Sequence, residues 1–173
     1  MTEKEYHLHG SFLVLEARGR YLFLKREDNC LFELLGGGFN SKETNHQKVL
    51  LREIEEEAGI QMKNEQLIFC AVLGQRLKKE IISYYDGKTE VGFVFVHTAS
   101  IDKDPEHIPI TLSSEHTDYR WFTHEEIIES YQIFSSGPLW MWFSFLEFQR
   151  TGITQQGKLY DRRIWQGKEY ASL

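Results

Sequence analysis

Residues 36–60, GGGFNSKETNHQKVLLREIEEEAGI, limit the choice of fold more than any other part of the chain. Their second half predicts a helix, because apolar residues recur at helical spacing and Gly59 is a natural C-terminal stop. On a helix that turns about 100° per residue, Glu53, Glu56 and Glu57 share one face within a single turn. The apolar residues occupy the opposite side, so we expect that side to face a core and the acidic side to face a cleft or solvent.

The acidic face lies at an unfavourable end of the predicted helix. Glu55, Glu56 and Glu57 fall in its last turn, where the macrodipole is negative and favours Lys or Arg. A divalent cation would remove this conflict, and Mg²⁺ binds carboxylate oxygens together with water and substrate phosphate. The alternative is a solvated acidic face, which is the usual state of a charge run. The glycine loop before the helix and Gly59 after it favour the metal site.

The same stretch resembles the signature of the Nudix hydrolases, the MutT-like family. That signature is Gly, five residues, Glu, seven residues, and then Arg-Glu-apolar-x-Glu-Glu-x-Gly-apolar. Gly37 is followed by five residues and Glu43, and residues 52–60 match the second half position for position. Leu35 departs from the pattern, because many members have Pro at that place.

The spacing between Glu43 and Arg52 is a second departure. Eight residues separate them, where the signature has seven. Starting the motif at Gly38 restores the spacing but puts Thr44 where Glu belongs. We therefore favour Glu43, with one residue inserted near the helix start, where extra length is least disruptive.

The resemblance implies an α/β fold, a Nudix-type α/β/α sandwich with a mixed β-sheet, for a domain at residues 1–150. Three carboxylates and one backbone carbonyl are then expected to hold the metal, from Glu53, Glu56, Glu57 and Gly36. Structural roles are implied for the remaining motif positions, which are Gly37, Gly38, Glu43, Arg52 and Gly59. Arg52 is expected to pair with acidic neighbours rather than to contact substrate. The implied cofactor is Mg²⁺, with Mn²⁺ as a substitute.

Apolar runs predict the strands of this sheet independently of the resemblance. The predicted strands lie at residues 11–16, 21–25, 67–73 and 91–99. The last of them is the most strand-like run in the chain, and we expect it to be central.

The resemblance also implies a catalytic residue outside the helix, to join Glu53, Glu56 and Glu57. In many members an acidic residue some six positions before a Trp approaches the metals or activates water. Glu115 and Trp121 match that spacing. The rival interpretation of Glu115 is an exposed loop carboxylate. His116 and Asp118 are secondary candidates in the same segment.

The predicted function is a Mg²⁺-dependent Nudix pyrophosphatase that cleaves a phosphoanhydride bond in a nucleoside diphosphate derivative or a nucleoside triphosphate. Cations are needed because a carboxylate cluster would otherwise repel a polyphosphate. One alternative is a catalytically weak ligand-binding or regulatory module, although such modules usually lose metal carboxylates that this chain keeps. Another is an isomerase, which would need a catalytic Cys. Substrate choice is expected to reside in loops 76–90 and 101–118.

Composition narrows the partners and the compartment. A chain of 173 residues suits one domain. A net charge of −6 without a basic run argues against binding to a nucleic acid polymer. Cys30 and Cys70 have no CxxC spacing, and the polar N-terminus lacks the apolar core of a signal peptide. We therefore expect free thiols, a small-molecule nucleotide partner and a cytoplasmic location.

Residues 139–148, LWMWFSFLEF, are apolar almost all round but too short for a membrane span, which needs about 20 residues. A buried core helix is the simplest interpretation. A homodimer surface and an aromatic shelf for a base are the alternatives. The tail at residues 151–173 lies outside the resemblance, has no assigned role and is expected to pack on the same domain.

Overall fold

The computed structural model describes residues 7–40, 42–76 and 91–158. The predicted specificity loop at residues 76–90 lies outside the described residues except for residue 76. Residues 159–173 of the tail lie outside them as well. The helices and strands of the described residues follow one another as β1 (His7–Ala17), β2 (Arg20–Arg26), β3 (Phe32–Glu33), β4 (Leu35–Gly38), α1 (His46–Ala58), β5 (Ile68–Arg76), β6 (Val91–Ser100), β7 (His116–Phe122), α2 (His124–Glu129), α3 (Ser136–Thr151) and β8 (Gln155–Lys158).

One mixed sheet holds all of these strands. Its main order is β3-β2-β1-β6-β5-β8, with β4 also paired to β1 and β7 to β2. The pairs β1–β6 and β5–β8 are parallel, whereas β1–β2, β1–β4 and β5–β6 are antiparallel. Strand β6 lies between β1 and β5, as predicted for the apolar run at 91–99.

Side chains alternate between the two faces of the sheet along its strands, and both faces are covered. On one face, Leu13 and Leu15 of β1 pack with Ile54 of α1 in a buried cluster. On the other face, Val14 belongs to a second buried cluster that includes Trp142 of α3. A helix on each side of a mixed sheet confirms the predicted α/β/α sandwich.

Helix α3 contributes its apolar residues to this second cluster. Its buried side chains are Leu139, Met141, Trp142, Phe143 and Phe145. These side chains form a core helix, which was the simplest of the three interpretations. None of the described helices is long and apolar enough to cross a membrane. Strand β8 follows α3 and pairs with β5, so the described part of the tail extends the same sheet.

The signature helix α1 ends where the sequence predicts. The side chain of Asn45 caps its start by accepting hydrogen bonds from the backbone N–H groups of Gln47 and Lys48, each at 3.0 Å. Gly59 ends it in the left-handed conformation, with φ of 66°. The last turn contains no basic residue, so no side chain of that turn offsets the negative end of the helix dipole.

Candidate active site

Strand β4 places its glycine backbone directly against the acidic face of α1. The N–H of Gly36 donates a hydrogen bond of 2.8 Å to Oε2 of Glu57. Gly36 has φ of +132°, and a Cβ added there would lie 2.2 Å from the carbonyl oxygen of Ser11 in β1. Only glycine therefore lets this strand pass between β1 and α1. Glu57, only 6% exposed, is consequently buried beneath the strand that holds it.

The next glycine makes room for a second carboxylate. A Cβ added to Gly37 would lie 2.5 Å from Cδ of Glu53 and 2.7 Å from both of its carboxylate oxygens. The Glu53 side chain therefore occupies the space that a side chain at position 37 would fill. Two glycines in a row thus seat two carboxylates of α1 beside the backbone of β4.

We expect Gly37→Ala to displace Glu53 and to weaken binding of Mg²⁺ or Mn²⁺ about 10- to 100-fold, with little effect on folding. The matched control is Gly38→Ala, whose new Cβ would meet only the carbonyl oxygen of His9 at 3.4 Å, an ordinary contact. Isothermal titration with Mn²⁺ would measure both variants. Equal affinities for the two would show that the position of Glu53 does not matter for the metal.

Arg52 draws three carboxylates together around one guanidinium group. Its Nε and Nη2 lie 3.0 and 3.2 Å from the two oxygens of Glu43. Its Nη1 lies 2.8 Å from Glu53 and 3.0 Å from Glu56. The hydrogen bonds from Arg52 hold the pKa of Glu43 below its ordinary value. This bidentate contact joins Glu43, rather than Thr44, to the signature helix.

The two enclosed carboxylates, Glu57 and Glu53, both have raised pKa values. Burial, followed by the charges of Glu33, Glu53 and Glu115, raises the pKa of Glu57 to about 8, against the hydrogen bond from Gly36. Burial also raises the pKa of Glu53, although Arg52 opposes the shift. Such raised values mark groups that a nearby cation would stabilise in their charged form.

Glu56 is the outermost of the three predicted helix ligands. Its side chain is 59% exposed and is tied to Arg52. Glu53 and Glu57 are only 15% and 8% exposed at the side chain. The acidic face is therefore graded, with one solvated carboxylate and two enclosed ones, and the purely solvated alternative does not describe it.

Glu115 lies at the exposed turn before β7. Its backbone carbonyl accepts a hydrogen bond of 2.9 Å from the N–H of Glu27. Its charge contributes to the raised pKa of both Glu53 and Glu57. Asp118 is exposed on β7 and bonds the N–H of Tyr119 at 2.8 Å.

The structure adds Glu33 to the site, a residue that the sequence interpretation missed. Nε2 of His116 lies 3.1 Å from Oε1 of Glu33 and 3.8 Å from Oε1 of Glu57. Arg26 contacts the same oxygen of Glu33 at 3.2 Å. The available signal was a single acid inside the apolar run Leu31–Leu35, just before the glycines. We call Glu33, Glu57 and His116 the inner cluster.

The described residues suit a divalent cation. Carboxylates of Glu53, Glu56 and Glu57 offer the hard oxygen donors that Mg²⁺ requires. The pKa is raised for both Glu53 and Glu57, although Arg52 lies 2.8 Å from Glu53, so a cation would stabilise the charged form of each. The N–H of Gly36 contacts Glu57, and the carbonyl of Gly36 stays the predicted backbone ligand.

Comparison with solved structures places this arrangement among known folds. A MutT/nudix family protein from Enterococcus faecalis is 18% identical, with a TM-score of 0.52, over 70% of this chain and 46% of its own. A bifunctional NMN adenylyltransferase/ADP ribose pyrophosphatase from Francisella tularensis, complexed with AMP and Mn ion, is 17% identical, with a TM-score of 0.61. The match covers 85% of this chain and 43% of that protein. This chain thus spans less than half the length of either protein.

A third solved structure is matched over nearly its whole length. It is a C. elegans Ap4A hydrolase in a binary complex, 19% identical with a TM-score of 0.57, covering 84% of this chain and 99% of its own. These identities establish a shared fold. No curated protein sequence gives a significant match. The model of the NUDIX domain matches residues 6–156. With most of its length under that match, and with a glycine strand seated on a carboxylate helix, the chain belongs to the Nudix family.

Proposed function

We propose that this protein is a Mg²⁺-dependent Nudix hydrolase that cleaves a phosphoanhydride bond in a nucleoside diphosphate derivative or a nucleoside triphosphate. The observation that carries the proposal is the enclosure of Glu53 and Glu57 beneath the glycines of β4. Two enclosed carboxylates side by side, one of them in the last turn of a helix, are unfavourable unless a cation joins them. Relatives of similar fold include an ADP ribose pyrophosphatase and an Ap4A hydrolase, which supports an acid anhydride as the substrate class.

Each side chain has a distinct part in this proposal. Glu53, Glu56 and Glu57, with the carbonyl of Gly36, would hold the metal. A bound Mg²⁺ neutralises phosphate oxygens and makes water more acidic. One carboxylate then accepts the proton of the attacking water. Glu115 suits that role because it lies outside α1, is exposed, and contributes its charge to the raised pKa of Glu53 and Glu57.

Arg52 acts as the positioning residue for the ligands. Its guanidinium contacts Glu43, Glu53 and Glu56 at once, so it fixes the loop before α1 to the acidic face. A planar guanidinium suits such multiple pairing better than an ammonium. It does not need to touch the substrate to affect the rate.

The proposal includes a cytoplasmic location and a domain that comprises residues 1–150. Cys30 and Cys70 are both free thiols, which favours a reducing compartment. Cys70 is buried in the cluster beneath α3, and burial raises its pKa to about 12. A thiol of that kind is a poor nucleophile, which argues against the isomerase alternative at this position.

A substrate panel would test the proposed function. ADP-ribose, diadenosine tetraphosphate, a nucleotide sugar, a nucleoside triphosphate and an isoprenoid diphosphate would each be incubated with Mg²⁺ or Mn²⁺. Products would be separated by ion-exchange chromatography. We expect hydrolysis of at least one nucleotide and a loss of at least about 100-fold in Glu53→Gln. Calorimetric binding of a nucleotide without turnover would instead identify a ligand-binding module.

A further inference from the structure

The inner cluster is assembled from three separate parts of the fold. Glu33 lies on β3, Glu57 in the last turn of α1, and His116 at the start of β7. One ligand atom from each lies within 4.8 Å of the others. Their side chains are 15%, 8% and 0% exposed, in that order. Such a set is not a surface charge run, because its members converge from distant positions into one enclosed space.

The separations between these atoms match those between ligands of one cation. Nitrogen and oxygen ligands lie about 2.1 Å from a small divalent ion, so neighbouring ligand atoms are about 3.0–3.5 Å apart. Nε2 of His116 lies 3.1 Å from Oε1 of Glu33 and 3.8 Å from Oε1 of Glu57. A shift of a few tenths of an ångström would bring Nε2 of His116 and Oε1 of Glu57 into this range, and all three ligand atoms already lie within 4.8 Å of one another.

Ser113 can accept a hydrogen bond from the metal-binding tautomer of His116. Its Oγ lies 3.3 Å from Nδ1 of His116, so Nδ1–H can donate to it. In that tautomer Nε2 carries a lone pair for a cation, whereas in the other tautomer Nε2–H donates to Oε1 of Glu33 at 3.1 Å. Histidines that bind metals usually donate their other N–H to an oxygen in this way.

The carboxylate of Glu57 has one committed oxygen and one free oxygen. Oε2 accepts the hydrogen bond from Gly36. Oε1 makes no hydrogen bond within the described part of the chain, and its distance of 3.8 Å from His116 exceeds hydrogen-bonding range. This oxygen is therefore available as a ligand for a cation. Arg26 contacts Oε1 of Glu33 at 3.2 Å and balances its charge, so the charge of Glu57 is left for a cation.

We infer that Glu33, Glu57 and His116 form a second cation site, selective for a transition metal such as Mn²⁺, Co²⁺ or Zn²⁺. Imidazole nitrogen suits these ions, whereas Mg²⁺ prefers oxygen donors alone. The inference builds on the proposed function, because Glu57 would serve both this site and the Mg²⁺ site of Glu53 and Glu56. It predicts that the protein prefers Mn²⁺ to Mg²⁺ even without substrate.

Pulsed electron paramagnetic resonance of the Mn²⁺-loaded protein would test the inference without any substrate. We expect ¹⁴N couplings from one imidazole ligand in the unmodified protein, and their loss in His116→Gln. Calorimetry should show Mn²⁺ affinity falling about 10- to 100-fold in that variant. The matched control is His107→Gln, since His107 is exposed and lies beside Asp104 and Glu106, outside the inner cluster, and both signals should be unchanged.

A second variant keeps the test independent of how His116→Gln folds. Glu33→Gln should weaken Mn²⁺ binding about tenfold while the ¹⁴N couplings remain. Absence of ¹⁴N couplings in the unmodified protein, or their persistence in a folded His116→Gln, would overturn the inference. If the protein hydrolyses a nucleotide with Mg²⁺ but shows no ¹⁴N couplings, the second cation site is refuted and the proposed function is not. Couplings in a protein that hydrolyses nothing would refute only the proposed reaction.

Discussion

Glu57→Gln is expected to lower kcat/KM by at least about 10³-fold while making the metal-free protein more stable at pH 8.5. The loss of rate follows from removing an enclosed metal carboxylate. The fold should survive, because the amide oxygen of Gln can still accept the hydrogen bond from Gly36. Loss of function with a gain in stability is the result expected where a site is strained for its chemistry.

The stability gain follows from the raised pKa of Glu57. That pKa is about 8 in the folded protein against 4.5 ordinarily, so between these values the folded state holds a proton that the unfolded state has released. The free energy of unfolding therefore falls as pH rises from about 4.5 to 8, by a few kcal/mol in total. Gln carries no such charge, so the variant lacks this part of the pH dependence.

Urea unfolding at pH 5 and pH 8.5, with chelator present, would measure both proteins. Glu55→Gln is the matched control, since Glu55 is exposed in the same helical turn and should change neither rate nor stability by much. Added Mg²⁺ should stabilise the unmodified protein and leave Glu57→Gln unaffected. A Glu57→Gln protein less stable than the original at pH 8.5 would contradict the account of a carboxylate that lacks a partner.

Gly36→Ala is expected to destabilise the fold by about 3–5 kcal/mol. A left-handed φ costs about 1–3 kcal/mol for a residue with a side chain, and forced overpacking costs a similar amount. The new Cβ would lie 2.2 Å from the carbonyl oxygen of Ser11 and 2.7 Å from Cα of Phe12, and neither backbone atom can move alone. Strand β4 would have to leave its register with β1.

Denaturant unfolding would again give the free energies. Gly137→Ala is the control, because a Cβ at Gly137, near the start of α3, would meet nothing within 4 Å. That change should be neutral or stabilise by up to about 1 kcal/mol. A Gly36→Ala protein within about 1 kcal/mol of the original would show that the strand has more room than its geometry indicates.

Local pattern was sufficient to predict α1, its end at Gly59 and the central strand β6. Those predictions depend on helical or alternating spacing over neighbouring residues, which the sequence displays directly. The difference among Glu53, Glu56 and Glu57 was not predictable in this way. Periodicity assigns all three to one face, but only the path of β4 decides which of them is covered.

The inner cluster illustrates a second limit. Glu33 and His116 are 83 residues apart in the chain and meet only because β3 and β7 both pair with β2. No spacing rule within a short window reports such a meeting. The strong motif that guided most of the other site residues covers only residues 36–60, so Glu33 fell just outside it.

The hydrogen bond that holds Glu57 comes from the main chain at Gly36. A main-chain amide is present whichever residue is encoded, proline excepted, so exchanges among nearby side chains cannot delete this anchor. Sequences with this fold can therefore differ at many positions and still hold the carboxylate of Glu57 in place. What they must preserve is the course of one short strand.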